Sequence, residues 1–558
     1  MNARRSRAPG ADELYFLPLG GTGEIGMNLN LYGHDGAWMM VDLGITFADP
    51  GAPGFDILMA DPAFIVERRE ALAGLVLTHA HEDHIGAVPY LWSQLRCPIY
   101  ATPFTAALVR GKLAEAGLEG EAELIEVPLS GRFEVGPFRV ELITLTHSIP
   151  EPNALVIRTA AGTVLHTGDW KLDPEPLVGE AYDEAALRGL ADEGILAMVC
   201  DSTNALVPGT AGSEGDVRAS LKRLVAGLDN RVAVACFSTN VARLESVCHV
   251  AAETGRRVAL VGRSLHRIHR AATESGYLAD LPPLVSDKEV GYLPREEILL
   301  LCTGSQGEPR GALWRIARGE HPDVGLDPGD TVVFSSRVIP GNETAIYALQ
   351  NTLVEQGIAV LTDRDAPIHV SGHPARDELT EMYQWVRPQI AIPVHGEARH
   401  MAAHAEIARS CQIPEVLVGH NGALMRLAPG TAEIVETVAT GRLVLDGDRL
   451  LPAGAPLLRE RKRMLHNGMV LVTLAVDRKG ALRGEPQISC SGVLDAAGDA
   501  EVLAELRAAV EDALGRLAAG ARRDDGQLAE AGRLAVRRYL SRAIGKKPLI
   551  QMHVVRLN

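Results

Sequence analysis

The stretch Leu75-Val-Leu-Thr-His79-Ala-His81-Glu-Asp83-His84-Ile-Gly-Ala-Val-Pro89 decides how this chain is read. Three imidazoles and the carboxylate of Asp83 follow on an apolar run that begins at Gly74. Such a run reads as a short buried strand. Its histidines then fall at the C-terminal end, where α/β sheets place their sites. His79 and His81 stand two apart, and an extended backbone points such residues the same way. Asp83 and His84 come where a helix begins, because Ile85 to Trp92 is apolar at mixed spacing. Neutral imidazoles beside a carboxylate suit zinc or a similar divalent ion. Four polar residues can also cap a helix, but a cap has no use for three histidines.

Size and composition narrow the setting. A chain of 558 residues predicts about three or four domains. Hydrophobic content of 46% and charged content of 23% describe an ordinary globular protein, whose core needs no metal to hold it. A net charge of −16 argues against non-specific wrapping of nucleic acid, while leaving room for a local basic channel. With 4% aromatic residues, base-stacking platforms are few. Seven cysteines, an odd number without any C-x-x-C, read as reduced thiols of a cytoplasmic protein. The basic start, Met1 to Arg7, lacks the apolar segment of a signal peptide. No apolar run approaches the ~18 residues of a membrane span, so no membrane is expected.

Residues 1–11 read as a disordered tail. Tyr15 to Leu19 is a predicted strand, followed by the loop Gly20-Gly-Thr-Gly-Glu-Ile-Gly26. That loop is an imperfect dinucleotide fingerprint and reads better as a tight turn approaching a neighbour or substrate. A hairpin, 28–32 with 37–41, ends on Asp42. From about 75 to 205 strands alternate with short helices, an α/β pattern. His147 closes the strand 138–146, Asp169 follows the strand 163–167, and Asp201 closes 195–200. Gly, Pro, Thr and Ser mark a boundary near 208–215. The stretch 216–365 has its own α/β rhythm. It reads as an insertion, because polar strand-end motifs resume at His373 and His395. Residues 441–465, with the basic run Arg459 to Arg463, read as a linker. A small α+β domain ending in the strand Pro548 to Arg556 closes the chain.

Two ions a few ångströms apart need more ligands than one cluster supplies. His147 would complete a three-histidine face with His79 and His81. Asp169, with two carboxylate oxygens, could bridge. Asp83, His84 and His395 would hold the second ion.

His79-x-His81-x-Asp83-His84, then His147 and Asp169, with Asp42 before them, resembles the metallo-β-lactamase fold superfamily. The insertion resembles the β-CASP nucleases, whose motifs match Asp201 in Cys200-Asp-Ser-Thr-Asn204, His373 in Ser371-Gly-His-Pro374 and His395 in Pro393-Val-His-Gly-Glu397. Within that group the chain resembles the bacterial ribonuclease J family. Leu19 to Asn28, Cys302-Thr-Gly-Ser-Gln-Gly-Glu308, and Arg538 through Lys546-Lys-Pro548 carry that likeness. The implied fold is α/β. A metallo-β-lactamase αββα sandwich occupies 12–208 and 366–440. A β-CASP domain is inserted at 209–365, a linker follows at 441–465, and an α+β C-terminal domain covers 466–558.

The resemblance also implies chemistry. Family members hydrolyse RNA phosphodiesters in RNA maturation and decay, 5′-to-3′ from 5′-monophosphate ends and also internally. Two divalent ions, zinc or alternatively manganese, would acidify a water and neutralise phosphate charge. His373 would protonate the leaving oxygen, Asp201 would orient His373 or another imidazole, and Asp42 would support a ligating histidine. Asp83 would serve the reaction as well as the metal. Ser238, Asn240, Gly304, Ser305, Gln306, Ser371 and His373 match a 5′-monophosphate pocket on single-stranded RNA, built of hydroxyls and glycine turns. Homodimerisation through the C-terminal domain and association with other RNA-decay proteins are implied. Arg263, Arg267 and Arg270, at helical spacing, either track RNA or form a solvated face. Three alternatives compete: a DNA-directed nuclease of the same fold, a small-molecule metallohydrolase, and a non-catalytic RNA-binding scaffold. The insertion argues against the second and the full ligand set against the third.

Overall fold

The computed structural model describes residues 8–48, 52, 54–339, 341–495 and 497–557. Most of the expected tail lies outside these, but its end does not hang free. The carbonyls of Pro9 and Gly10 accept the N–H groups of Gly36 (2.7 Å) and Asp35 (3.1 Å), capping the hairpin turn. The chain divides into two compact units. One holds residues up to Phe47 and Ile57–Leu443, the other Ala48–Asp56 and Val444–Asn558.

The first unit is built on two facing sheets. Among the described residues one has the order Glu433–Thr437, Ala423–Ala428, Leu14–Gly20, Leu29–His34, Ala37–Val41, Leu72–Val76, Ile99–Ala101, Leu124–Glu126. The other runs Arg132–Val135, Phe138–Thr144, Asn153–Thr159, Gly162–His166, Ala197–Asp201, Ile390–Val394, Glu415–Val416. Side chains alternate across a strand, and these strands bury both faces. Val140, Leu142, Leu155, Ile157, Val164 and Val199 meet Phe16, Tyr32, Met39 and Val76 between the sheets. Ile143, Val156, Leu165 and Met198 face the other way, onto Leu187, Leu379, Met382 and Trp385 of the covering helices. This two-sided burial is why the strands read as nearly continuous apolar runs. Each such side chain contributes roughly 1.5–3 kcal/mol.

The register sets the site. Gly162–His166 runs parallel to Ala197–Asp201, which runs parallel to Ile390–Val394, with Asp201 opposite Val394. In the facing sheet Ala37–Val41 is parallel to Leu72–Val76. Asp42, His79, Asp169, Asp201 and His395 therefore leave strand ends on one edge of the sandwich.

The insertion lies between Ala197–Asp201 and the helix Arg376–Val386. Its five described strands are all parallel, in the order Arg257–Val261, Ile298–Cys302, Val232–Ala235, Thr331–Phe334, Ala359–Leu361. Their C-terminal turns carry Ser238, Asn240 and Gly304 to Gln306. Arg243, fully buried on the helix Val241–Glu253, donates to both oxygens of buried Glu214 (3.2 and 2.9 Å). It also donates to the carbonyls of Ser335 (2.9 Å) and Ile368 (3.0 Å), tying the insertion to the returning chain.

In the second unit the sheet Gln487–Ser491, Met469–Val476, Leu549–Arg556 packs one face on the helices Ala500–Gly515 and Asp525–Ala543. Val470, Val472, Leu474 and Val476 meet Leu506, Val510, Leu528 and Val536 there. The expected linker at 441–465 is not structureless. It contains the strands Arg442–Asp446 and Arg449–Pro452 and most of the helix Pro456–Asn467. Proline suits a first helical turn, and Arg461 of the basic run bonds Asp446 at 2.6 and 2.9 Å. No helix among the described residues is long and apolar enough to cross a membrane.

Candidate metal centre

The strand ends converge on three overlapping groups of ligand atoms. His79, His81, His147 and Asp169 form one, Asp83, His84, Asp169 and His395 a second, and Asp169, Asp201, His373 and His395 a third; within each group the atoms lie within 4.8 Å of one another. Asp169 belongs to all three, and the first two match the expected ligand sets. Its Oδ2 is 3.9 Å from His79 Nε2, 4.0 Å from His147 Nε2 and 3.2 Å from His84 Nε2. Its Oδ1 is 3.3 Å from His395 Nδ1. The backbone bends to deliver one supporting carboxylate and one ligand: Asp42 has φ 63° and His395 φ 50°, left-handed values that non-glycine residues adopt at a cost. The glycine-rich loop explains the second. Gly21 O accepts the His395 N–H at 2.7 Å, and Thr22 pairs with Gly396.

Behind the ligands sits a shell of orienting bonds. Asp42 Oδ2 is 2.7 Å from His84 Nδ1, and Thr78 donates its N–H to Oδ1 (2.8 Å) and its hydroxyl to Oδ2 (2.9 Å). His147 Nδ1 donates to Gly372 O. Gly372 must be glycine, since a Cβ there would stand 2.5 Å from the His147 ring. His373 Nδ1 donates to Asp201 Oδ2 at 2.8 Å and lies 3.7 Å from Asp169.

The charges fit divalent cations. Asp42, Asp169 and Asp201 are buried, Asp83 is partly so, and among the described residues no lysine or arginine pairs with any of them. Burial opposes charging His79, His81 and His147, and their mutual repulsion adds to it in His79 and His147. All three fall below the usual imidazole range, His81 to about 4, so they are neutral donors. Burial works the same way on His84 and His395, but Asp169 with Asp83, and Asp42 or Asp201 respectively, outweighs it and raises both well above the usual range.

The expected phosphate-pocket residues are divided. Ser305 is 2% exposed and its hydroxyl has no partner among the described residues. Ser371 Oγ accepts from Asn204 Nδ2 at 2.7 Å and lies beside His373. The side chains of Asn240 and Gln306 also make structural bonds. Asn240 caps its helix by accepting from Arg243 N (2.8 Å). Gln306 donates to Arg337 O (2.8 Å) and accepts from Ile339 N (3.0 Å), stapling its own loop. Arg263, Arg267 and Arg270 stand exposed on the helix Arg263–Glu274, and Arg267 pairs with Glu115 at 2.9 Å. Sequence reasoning missed Asn28, Thr203 and Asn204. Asn28 Nδ2 donates to Asp83 O (3.0 Å), Thr203 Oγ1 to Asp201 Oδ1 (2.7 Å), and Asn204 Nδ2 to His373 O (3.0 Å). Thr203 and Asn204 were in view, two and three places after Asp201 in its own motif.

Fold and site define a class: a divalent-metal hydrolase of metallo-β-lactamase fold with a β-CASP insertion. Family models match accordingly. The metallo-beta-lactamase superfamily matches 27–235 and the ribonuclease J beta-CASP domain 229–353. The Zn-dependent metallo-hydrolase RNA specificity domain matches 364–412, and the ribonuclease J C-terminal domain 456–557. The chain is 45% identical over 551 residues to ribonuclease J of Sinorhizobium meliloti, covering 98% of each chain. It is 38% identical over 556 residues to that of Mycolicibacterium smegmatis, covering 99% of this chain and 98% of the other. A solved Enterococcus faecalis V583 protein of unknown function shares the fold alone, at 16% identity and TM-score 0.52 over 74% of this chain and 100% of its own. The chain belongs to the ribonuclease J family.

Proposed function

We propose that this protein is a metal-dependent ribonuclease that degrades single-stranded RNA 5′-to-3′ from 5′-monophosphate ends and also cuts internally. The observation that carries the reading is the pair of ligand groups sharing Asp169, with the His373–Asp201 pair 3.7 Å from it. His79, His81, His147 and Asp169 would hold one ion, and Asp83, His84, Asp169 and His395 the other. The histidine-rich donor set favours zinc, with manganese the competitor. When bound, such ions acidify water and neutralise phosphate oxygens.

The chain's own groups do the rest. Asp42 holds the His84 ring in place through Nδ1 and leaves Nε2 for the ion. Burial disfavours the charged His373, but Asp201 and Asp169 outweigh it and lift its pKa above the usual imidazole value. With Nδ1–H given to Asp201, Nε2–H is the proton available to the leaving oxygen. The buried, unpartnered Ser305 hydroxyl supports a phosphate site at the strand ends of the insertion. The RNA specificity match at 364–412 covers the His373 and His395 segments and favours RNA over DNA or a small ester. A cleavage ladder on 5′-labelled RNA, run on protein of measured metal content, tests the reading. Mononucleotide release with some internal fragments is expected. A matched single-stranded DNA degraded faster than the RNA would overturn it.

A further inference from the structure

Glu378, on the first turn of Arg376–Val386, is 2% exposed and carries no part of the reaction described above. Its Oε1 accepts the N–H of Leu172 at 2.9 Å. Its Oε2 accepts the N–H groups of Ala211 and Ala375, each at 2.8 Å. Ala375 is the N-cap of the helix that carries Glu378, while Leu172 and Ala211 lie far from it in the chain. Leu172 lies three places past Asp169. Its neighbour Lys171 donates its N–H to Thr146 O at 2.8 Å, beside His147. Ala211 lies on the crossover into the insertion. Ala375 ends the turn that carries His373. The two crossovers are also joined by backbone, Arg376 N to Val207 O and Asp377 N to Gly209 O, both at 3.0 Å.

A buried carboxylate is a poor choice if stability alone were at stake, because an apolar residue of similar volume avoids the desolvation cost. Burial raises the pKa of Glu378, against the pull of its three N–H donors and of Lys171. Lys171 spends its own ammonium on Asp173 (2.7 Å) and Gly212 O (3.2 Å). What the carboxylate supplies is geometric. Two oxygens tie the N-cap of the helix to two N–H groups, of Leu172 and Ala211, from segments far apart in the chain, which an apolar group cannot do. Glutamine does it in part: one oxygen keeps two donors, while its NH2 opposes the third.

We propose that Glu378 is a positioning residue for proton transfer, fixing the turn that carries His373 against the segment that carries Asp169. The inference rests on the reading of His373 as the proton donor. A misplacement of that donor by about 1 Å costs on the order of 10²-fold in rate. It costs little where the leaving group needs no proton.

The test compares two RNAs that differ at one linkage, where sulfur replaces the leaving oxygen; a thiolate departs without protonation. Glu378→Ala, Glu378→Gln and His373→Ala are assayed at single turnover with metal content and melting temperature recorded. Glu378→Ala is expected to lose about 10²-fold on the oxygen ester and under about threefold on the sulfur ester. KM and metal content should stay unchanged, and Glu378→Gln should fall between Ala and the parent. Should Glu378→Ala fail to fold, Glu378→Gln carries the same comparison. Equal losses on both esters in the Glu378 variants, with His373→Ala keeping its selective loss, overturn the role of Glu378. Equal losses in His373→Ala as well overturn the proton-donor reading beneath it.

Discussion

Asp42 and His84 are joined by a 2.7 Å contact between Oδ2 and Nδ1, and Asp42 reaches it from a left-handed backbone at φ 63°. A strained aspartate whose two oxygens are spent on His84 and Thr78 fixes the ring that faces Asp83 and Asp169. Removing such a partner lowers metal affinity about 10–100-fold. Asp42→Ala should therefore weaken metal binding by that factor in a chelator competition, with far-UV CD unchanged. Parent-like affinity would mean that Asp42 serves the turn alone.

His81→Ala and Asp83→Ala separate the two ligand groups. Each residue is partly exposed at the edge of the site, so neither substitution opens the core. RNA cleavage should fall below detection in both, while the thermal midpoint of each chelator-treated variant matches the chelator-treated parent. Full cleavage by either variant would sink the assignment.

How much of this was legible beforehand follows from where each residue's partners lie. The strands were visible because both faces are buried, which writes apolar runs such as Ala197 to Val199 into the sequence. The ligands were visible because parallel strands end together, so a polar residue after each run was informative. Buried polar groups with remote partners were not. Arg243 and Glu378 look like solvated charges on helices until the fold brings Glu214, Leu172 and Ala211 to them. Nor does the sequence show that the Asn240 side chain caps a helix and the Gln306 amide ties its own loop. The basic run at 459–463 looked like linker because composition cannot tell a charged helix from a coil.

Arg243 and Glu214 give a stability prediction. Both are buried, so breaking the pair leaves an uncompensated charge that costs roughly 3–5 kcal/mol, whereas replacing both by apolar residues is far milder. Arg243→Met should lower the thermal midpoint sharply, and Arg243→Met with Glu214→Leu should recover most of the loss. A double variant no better than the single would show that the bonds to Ser335 and Ile368 dominate.

Asp173 gives a pH dependence. Burial disfavours its charge, but the Lys171 ammonium 2.7 Å away and the Glu214 N–H win, holding its pKa below the usual carboxylate value. A depressed folded pKa stabilises above the unfolded value, about 3.9 for aspartate, and that contribution is lost as pH falls through the folded value. The gap in thermal midpoint between the parent and Asp173→Asn should be constant near neutrality and narrow below about pH 4. A gap that widens with acid would contradict the pairing.

Ser305 opposes stability to function. Its hydroxyl is buried and has no partner among the described residues, and such a group costs about 1–3 kcal/mol. If it awaits a 5′-phosphate, Ser305→Ala should melt no lower than the parent. The parent should degrade 5′-monophosphate RNA faster than its 5′-triphosphate form in single turnover, and Ser305→Ala should narrow that ratio. A destabilised variant with the ratio intact would make Ser305 a packing residue. Equal rates on the two RNAs in the parent would remove the phosphate site altogether.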